Sequence, residues 1–539
     1  MKSAKILFGV CFSALLSVGA LTGCGGNKSG KDKYDKNGRL ILELKNVYFD
    51  QWDGSDTYTE TLNEKFGVKI TPSNYDYNSW DEMVNIAVNG NNLTDAIHFN
   101  LKAYNFGSTY EKWVDGMIVK ALPEDMSKWP NIQNMLSHVS NLDALKDSKG
   151  RLYGIPIMND IVNYDKDFSN FTYIYRRDWA KQIDEMYKDS PGYQPIYKEG
   201  DVYTWEEFQR LLDGFKLNLK AITKTDQAST LVDEAWGFPS VTNFYKDVPH
   251  CYAKDSDGRA INAFTSDKYI AGLEEAKKIV DDGYYSQDQY NFPDTKANDL
   301  YRGGLAAILY DNFSYANYAK LREQMRREAN LDDATALLKI KGPDGKYGLE
   351  GTENWFSMTL FNYDISDKKM NKILDIIDYL LSEEGTRLAV YGKEGYDYNI
   401  VNGEVELTEK GWEKGSDGKY APKINGAKYL RYMATLGNDT RSYDPYTDEK
   451  TYKLLDDWYK EMKAAKDANQ LRVVKEPADI DWMSTPTKND KTESVLADAN
   501  TSVLKYCFDS SYNLDKYKGD FKTTIWEKIL KEINEKLGF

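Results

Sequence analysis

The sequence predicts an α/β protein of two or more lobes, from alternating strand and helix patterns and from the size of the chain. Three short apolar runs early in the chain are separated by two amphipathic runs with helical spacing. Strands and helices that alternate in this way form a parallel sheet with right-handed crossovers. The 539 residues, 41% of them hydrophobic, are enough to bury more than one core.

The first strand is predicted at 40–47, which is apolar and flanked by polar residues. Ser55 or Asp56 can cap the helix that follows, and apolar side chains recur every four residues up to Phe66. Gly67 can adopt the left-handed conformation that ends many helices. These signals predict the first strand and helix of the sheet.

The second strand is predicted at 68–71, before Pro72, and the third at 95–99. Between them, Ser79 and Glu82 have the spacing of a capping box that opens a helix. The apolar face of that helix is predicted to carry Met83, Ile86 and Ala87. Ligands of parallel sheets collect at the carboxyl ends of the strands, so the loops after these strands are candidate binding segments.

In the middle of the chain, 147–150 predicts a turn, and 151–160 is extended because Pro156 disfavours a helix. The run 173–179 predicts a strand that leads into a helix. A further helix is predicted to begin with Thr204 as its cap and Glu207 three residues later. Its apolar face consists of Phe208, Leu211, Leu212 and Phe215.

Later patterns continue the alternation of strands and helices. Asp257-Gly258 predicts a hairpin turn, and the next amphipathic helix is expected to end at Gly283. The small apolar run 304–310 predicts a buried strand. The periodic helix at 370–381 is expected to be closed by Gly385.

Residues 1–23 are typical of a secretory signal. Lys2 and Lys5 precede an uncharged apolar run, 6–20, which is shorter than the roughly 20 residues of a membrane-spanning helix. The run Leu21-Thr22-Gly23-Cys24 resembles the lipobox of bacterial lipoproteins, which implies lipidation, palmitate included, at Cys24. The alternative is an ordinary cleaved signal with a chance cysteine.

The segment after the lipobox predicts a flexible tether at 24–38, because it is polar, small and without apolar periodicity. Together with the lipobox, it places the protein on the extracytoplasmic face of the cell membrane, anchored by lipid. Cys11 leaves with the signal, so Cys251 and Cys507 remain, and the sequence leaves open whether they form a disulfide.

The charge balance excludes some classes of partner. The formal net charge is −15, and loss of the signal, which carries two lysines, makes it more negative. A basic nucleic-acid footprint is absent, and attraction to anionic lipid is not expected. Aromatic residues, in contrast, are abundant at 14%, with 41 Tyr, 12 Trp and 20 Phe. Tyr and Trp combine an apolar face with a polar tip, which suits surfaces that bind sugars or peptides.

No metal or cofactor is predicted. His98, His138 and His250 have no paired spacing with another His or Cys, as zinc sites require. The run 255–258 begins like a calcium loop, but Ser266 stands where that loop needs a Glu.

The order of four motifs resembles that of family 1 extracellular solute-binding proteins, the lipoprotein components of carbohydrate importers of the ABC type. The resemblance is closest to the long oligosaccharide-binding branch, with maltose-binding protein as a distant relative. The motifs are Leu152-Tyr153-Gly154-Ile155-Pro156, Arg177-Asp178-Trp179, Thr204-Trp205-Glu206-Glu207-Phe208, and Ser382-Glu383-Glu384-Gly385 followed by 392–398. They extend across roughly residues 40 to 400, and the C-terminal portion matches less specifically.

The resemblance implies two α/β lobes of the periplasmic-binding-protein type, joined by hinge strands, with a sugar in the cleft between them. Lobe one is expected at 39–160 plus 355–400, and lobe two at 161–354 plus 401–539. The chain is expected to cross between lobes near 159–165, 348–355 and 398–428. The implied protein is a monomer that delivers its ligand to the permease subunits of an ABC transporter.

The candidate ligand-binding residues combine aromatic platforms with polar hydrogen-bonding groups. Trp236 is the first choice, since the resemblance places it where maltose-binding protein has an acidic and an aromatic residue facing the cleft. The other candidates lie after predicted strands, at helix starts or at predicted crossings, and they are Trp52, Asp160, Arg177, Asp311, Asn312, Trp355 and Tyr396. Each also has a structural explanation, as a core aromatic, a helix cap or a solvated loop charge.

Other functions stay open on the sequence. A surface glycosidase needs two carboxylates about 5 to 10 Å apart. Pairs such as Glu206-Glu207 and Glu383-Glu384 exist, but helix starts explain them, and no nucleophile elbow or phosphate loop is present. A peptide-binding or adhesion lipoprotein is the second alternative. The sequence favours a non-catalytic carrier.

Overall fold

Two β-sheets organise the computed structural model, each with its own hydrophobic core. The structure describes residues 32–159, 167–234, 238–245, 251–285, 288–289, 296–314, 317–318, 321–322, 325, 334–402, 404–414, 420–436 and 449–539. Within these ranges, no helix combines the length and the apolar character that a bilayer-spanning helix needs.

The first sheet has five strands in the order β2-β1-β3-β14-β4. Its strands are β1 (Leu40–Lys45), β2 (Val68–Ser73), β3 (Ala96–Phe99), β4 (Gly154–Met158) and β14 (Trp355–Phe361). The first strand pairs in parallel with both β2 and β3, as the sequence predicts. β14 runs antiparallel to β3 and β4, so it begins where those two strands end.

Helices pack around the first sheet and share its core. They are α1 (Thr57–Phe66), α2 (Trp80–Asn89), α3 (Ala103–Asn105), α4 (Glu111–Asp115), α5 (Pro130–Leu136), α10 (Asp367–Leu381), α11 (Glu383–Val390) and α12 (Gly426–Arg431). Two hairpins lie between α11 and α12, formed by β15 (Tyr398–Val401), β16 (Glu404–Leu407), β17 (Trp412–Lys414) and β18 (Tyr420–Pro422).

The second sheet has four strands in the order β11-β5-β10-β7. They are β5 (Phe171–Arg176), β7 (Ser229–Asp233), β10 (Ala306–Asn312) and β11 (Thr335–Leu337). β10 is parallel to β7 and antiparallel to β5. Smaller pairs are β6 (Val202–Tyr203) with β12 (Lys339–Ile340), β8 (Tyr252–Lys254) with β9 (Ala260–Asn262), and β13 (Tyr347–Glu350) with β19 (Leu471–Val474).

Helices cover both faces of the second sheet. They are α6 (Arg177–Tyr187), α7 (Trp205–Thr223), α8 (Asp267–Asp281), α9 (Lys296–Arg302), α13 (Glu449–Asp467), α14 (Ala478–Asp481), α15 (Pro486–Phe508), α16 (Leu514–Asp520) and α17 (Thr524–Leu537). One face packs against α7, α8 and the three C-terminal helices, and the other packs against α9 and α13. The α/β prediction is confirmed.

Local signals in the sequence correctly predicted several helix boundaries. Asp56 caps α1 by accepting hydrogen bonds from two backbone N–H groups, and Gly67 ends it with φ 67°. The capping box of α7 is complete, because Thr204 Oγ1 accepts from Glu207 N at 3.3 Å and Glu207 Oε2 accepts from Thr204 N at 2.9 Å.

Two local predictions were wrong. Ser79 precedes α2 but makes no capping hydrogen bond, and its helix buries Trp80 and Val84 instead of the predicted face. Ile86 of the predicted face is 56% exposed, because α2 packs through the side that carries Trp80, its first residue. Gly385 does not close α10, which ends at Leu381, since Ser382 caps a new helix that contains this glycine.

The sequence prediction ends the first lobe at residue 400. In the structure, residues after 400 still pack in the first core. α12 packs Ala427 and Leu430 into the first core, beside Met433 and Ala434. The described chain resumes at α13, which packs against the second sheet. The apolar residues of 426–434 therefore pack in the core of the first sheet.

Candidate ligand-binding cleft

A cleft lies between the two sheets, and it has a volume of about 700 Å³. Loops after β1, β3, β4 and β10 line it, together with the starts of the antiparallel strands β5 and β14. The cleft therefore lies at the carboxyl ends of parallel strands, where α/β sheets bind ligands. Its volume falls within the roughly 300 to 1,000 Å³ of small-molecule sites.

Aromatic side chains form much of the cleft wall. They are Tyr48, Tyr77, Phe168, Phe171, Phe313, Trp355, Phe356, Tyr432, Trp458 and Tyr459. Several pack on one another: the ring centroids of Tyr48 and Tyr432 are 5.3 Å apart, and those of Phe168 and Tyr459 are 5.6 Å apart. Because each ring is supported by another, the wall offers aromatic faces in fixed orientations.

The polar part of the wall consists mainly of amides. The cleft is lined by Asn159, Asn170, Asn312, Asn317 and Asn354. The Asn354 amide is held on both sides, since its Oδ1 accepts from Ser140 N at 3.0 Å and its Nδ2 donates to the His138 carbonyl at 2.7 Å. Amides can both donate and accept hydrogen bonds, so this wall suits a ligand with many hydroxyl groups.

Two tyrosines of the cleft, Tyr48 and Tyr432, keep their protons. Burial raises the pKa of Tyr432 to about 12 and moves the pKa of Tyr48 well above its usual range. Both phenols are therefore hydrogen-bond donors as well as acceptors at neutral pH.

Lys102 is the charged residue among the described lining of the cleft. Its Nζ donates to the Phe356 carbonyl at 3.0 Å and lies 4.1 Å from the centre of the Phe356 ring. Burial lowers the pKa of Lys102 to about 8, although the charge of Asp81 opposes that shift. The amine is still largely protonated at neutral pH, so the described lining of the cleft carries one positive charge.

Two of the predicted ligand-binding residues, Trp355 and Asn312, line the cleft. Trp355 begins β14, where its Nε1 donates to the Ser140 carbonyl at 3.0 Å and its ring lies 5.5 Å from that of Trp482. Asn312 ends β10, and its Oδ1 accepts from Ser314 N at 3.1 Å. The fold brings these residues together from different sheets.

Trp52 and Arg177 lie away from the cleft lining. The Trp52 indole is buried in the first core, where its Nε1 donates to Asp56 Oδ2 at 2.7 Å and its ring stacks on Tyr429 at 5.5 Å. Arg177 follows β5, which runs away from the cleft, and it forms an ion pair of 3.2 Å with Asp201. Arg177 is therefore at the opposite end of the second sheet.

Asp311 and Tyr396 are also outside the lining residues. The Asp311 carboxylate accepts hydrogen bonds from the Asn298 side chain and from Asn312 N, and burial raises its pKa to about 6. Tyr396 is 52% exposed, with Lys410 Nζ 5.3 Å from the centre of its ring.

Trp236, Asp160 and Cys24 lie outside the described residues. The cysteines Cys251 and Cys507 are both buried and free. Within the described residues, no group of three or more His, Cys, Asp and Glu side chains is arranged to hold a metal ion.

Sequence reasoning missed most of the cleft wall. Tyr48 and Lys102 follow β1 and β3, so the rule that ligands collect at carboxyl strand ends could have identified them. Trp458 and Tyr459 lie within α13, and no local signal distinguishes them from core aromatics. They reach the cleft through tertiary packing against Phe168.

Comparisons with known proteins agree with this arrangement. No protein-family model matches the sequence. The chain is 24% identical to Lipoprotein LipO of Bacillus subtilis over 275 residues, 49% of this chain and 50% of LipO, so the match spans about half the length of that relative. It is 22% identical over 395 residues to the polygalacturonan/rhamnogalacturonan-binding protein YtcQ of the same species, covering 71% of this chain and 72% of YtcQ.

A solved structure extends the comparison to nearly the whole chain. The alginate-binding protein AlgQ2, crystallised without calcium, superposes with a TM-score of 0.62 at 14% identity, covering 92% of this chain and 97% of AlgQ2. The two-lobe α/β fold that the motif order implies is therefore confirmed.

Proposed function

We propose that this chain, which has the two-lobe fold of extracellular solute-binding proteins, is a lipid-anchored extracytoplasmic carrier of an oligosaccharide. It delivers that ligand to the permease of an ABC transporter. The observation that carries the proposal is the cleft between the sheets, with aromatic faces and amides on its wall. Sugar rings present flat C–H faces surrounded by hydroxyl groups, which this combination of side chains matches.

The relatives support the proposal through what they are named to do. YtcQ is named for binding polygalacturonan and rhamnogalacturonan, AlgQ2 for binding alginate, and LipO as a lipoprotein. All three names fit a carbohydrate carrier at the cell surface.

Trp355 and Asn312 are the sequence candidates that we assign to the ligand, with Tyr77, Phe356 and Asn354 as additional contacts. Trp236 and Asp160 remain candidates on the sequence alone. The ligand binds the closed arrangement of the lobes more tightly than the open one, and this difference in affinity drives closure.

The test uses the full chain with Cys24→Ala, secreted without its anchor. A thermal-shift screen against an oligosaccharide library should give a concentration-dependent rise in melting temperature, because a ligand stabilises the state that binds it. Calorimetry then measures the affinity. Stabilisation by peptides and not by glycans, or release of cleaved sugar by the purified protein, would contradict the carrier function in favour of a peptide binder or a glycosidase.

The anchor has a separate test. Cys24→Ala should move the protein from the membrane fraction to the medium while it still binds sugar. Cys11→Ala is the matched control, since that residue lies within the signal and should leave the protein at the membrane. Retention of the Cys24→Ala variant at the membrane would contradict lipid anchoring.

A further inference from the structure

Lys102 is the charged member of a described cleft lining whose other side chains are uncharged. The other described lining residues of the cleft are aromatic, aliphatic, amide or hydroxyl side chains, and none is Asp, Glu, Arg or His. The lysine follows β3 and is partly exposed to the cleft. Within the described lining, a ligand therefore meets a single positive charge among neutral side chains.

The partners of Lys102 in the structure are neutral. Its ammonium group donates to the Phe356 carbonyl at 3.0 Å and lies over the ring of the same residue. Among the described residues, no carboxylate forms an ion pair with it. Asp81 acts on it only at longer range, and the Asp81 carboxylate is exposed and accepts from Asn100 Nδ2 at 3.3 Å. The described residues therefore compensate the positive charge of Lys102 only in part.

A bound ligand changes how well the charge of Lys102 is compensated, and the direction of the change depends on the charge of the ligand. A neutral sugar would cover the ammonium group, remove its water and offer only hydroxyl groups in exchange. A sugar carboxylate would instead form a charge-assisted hydrogen bond with the ammonium. It would meet no repulsion from acidic side chains in the described lining.

The overall negative charge of the protein does not oppose this local attraction. The formal net charge is −15, which disfavours polyanions at long range. Salt screens such interactions beyond a Debye length of about 8 Å at physiological ionic strength, whereas a direct contact inside a partly enclosed cleft is screened much less.

We propose that the ligand of the cleft is an acidic oligosaccharide built from uronic-acid units, and that Lys102 binds one of its carboxylates. The aromatic wall stacks on the sugar rings, and the amides bind the hydroxyl groups. The inference rests on the proposed carbohydrate function and specifies its substrate class.

The experiment compares acidic and neutral versions of the same sugar. Calorimetry on the secreted Cys24→Ala chain uses trigalacturonate, its carboxyl-reduced counterpart, an alginate trisaccharide, and a panel of neutral fructo-, malto-, manno- and xylo-oligosaccharides. Three variants are added: Lys102→Met removes the charge, Lys102→Arg keeps it, and Lys149→Met is the control at an exposed turn outside the cleft.

An acidic trisaccharide should bind about tenfold or more tightly than its carboxyl-reduced form. Lys102→Met should abolish that preference, whereas Lys102→Arg and Lys149→Met should retain it. Equal melting temperatures of the unliganded variants show that Lys102→Met is folded.

Three results would overturn the inference, and they are distinguishable. Binding of neutral oligosaccharides with no preference for acidic ones would refute the acidic substrate class and leave the carrier function intact. An acidic preference that survives in Lys102→Met would refute the role of the lysine. Binding of no oligosaccharide, acidic or neutral, would refute the proposed carrier function itself.

Discussion

Asn141 Nδ2 donates a hydrogen bond of 2.6 Å to Glu353 Oε1, and this contact joins the first lobe to the segment that connects the two sheets. Glu353 lies between β13 and β14, and its side chain is only 13% exposed. The same oxygen is 2.9 Å from Lys475 Nζ, which follows β19 beside the second sheet. One carboxylate therefore connects residues of both lobes next to the cleft.

We expect Glu353→Ala to lower the free energy of unfolding by about 2 kcal/mol, because it leaves the Asn141 amide and the Lys475 ammonium without their shared partner. Urea unfolding measures the change. Glu383→Ala is the matched control, since Glu383 is 80% exposed and forms its ion pair with Arg387 of its own helix. Equal losses of stability in the two variants would show that the connection between the lobes contributes nothing.

Tyr77 offers a test of the aromatic wall with little risk to folding, because it lines the cleft and is 57% exposed. Tyr77→Ala should weaken binding of an identified oligosaccharide by about fivefold, as expected for the loss of one stacking face. The control is Tyr363→Ala, because Tyr363 is 46% exposed and lies beyond the far end of β14. Calorimetry should show a loss of affinity in the first variant and none in the second; any other pattern argues against stacking at Tyr77.

Asp233 predicts a pH dependence of stability. Burial raises its pKa to about 7, although Ser240 N and Tyr285 Oη donate to its carboxylate at 2.9 and 2.8 Å. The folded protein therefore holds a proton that the unfolded chain loses near pH 4. The resulting stabilisation is fully present below pH 4 and is lost as the pH rises through 7.

Asp233→Asn imitates the protonated carboxyl group and should flatten this dependence, which is on the order of a few kcal/mol. Unfolding measured between pH 4 and 8 gives the slope for each protein. Asp143→Asn, at a side chain that is 95% exposed, should keep the wild-type slope. An unchanged slope in Asp233→Asn would mean that this carboxyl group is ionised throughout.

Lys102 predicts the opposite kind of pH dependence, in ligand affinity. With its pKa lowered to about 8 by burial, the lysine loses its charge as the pH rises above that value. Affinity for an acidic oligosaccharide should be constant from pH 6 to 7.5 and fall about tenfold between pH 8 and 9.5. The neighbouring His98 does not produce this change, because burial keeps its pKa well below the usual value.

Calorimetry in matched buffers tests the pH dependence, with Lys102→Arg as the comparison. An arginine stays protonated at these values, so its affinity should not fall. A parallel decline in both proteins would assign the effect to another group.

Much of the secondary structure follows from short stretches of sequence. Asp56 and Gly67 mark both ends of α1, and Thr204 opens α7, because a cap satisfies backbone groups only a few residues away. The failures show the limit of that reasoning. Ser79 has the right spacing for a cap, but the orientation of α2 is set by Trp80, whose Nε1 donates to the His98 carbonyl at 2.9 Å.

The binding residues were harder to predict, because tertiary packing also decides where their side chains lie. Trp52 and Trp355 both lie beside strands of the first sheet and are equally plausible in the sequence. Trp52 packs back onto Asp56 and Thr59 of the following helix, whereas Trp355 begins a strand that starts at the cleft. The tertiary packing of each side chain decides between them, and the sequence does not state it.

The sequence by itself determined the alternation of strands and helices, the parallel start of the first sheet and the motif order that implies two lobes. Tertiary structure alone decided which side chains meet in the cleft. Lys102 and Phe356 are 254 positions apart, and Asn141 and Glu353 are 212 apart. Caps and turns are stabilised by neighbours in the chain, but contacts between such distant residues form only when whole sheets and helices pack against each other.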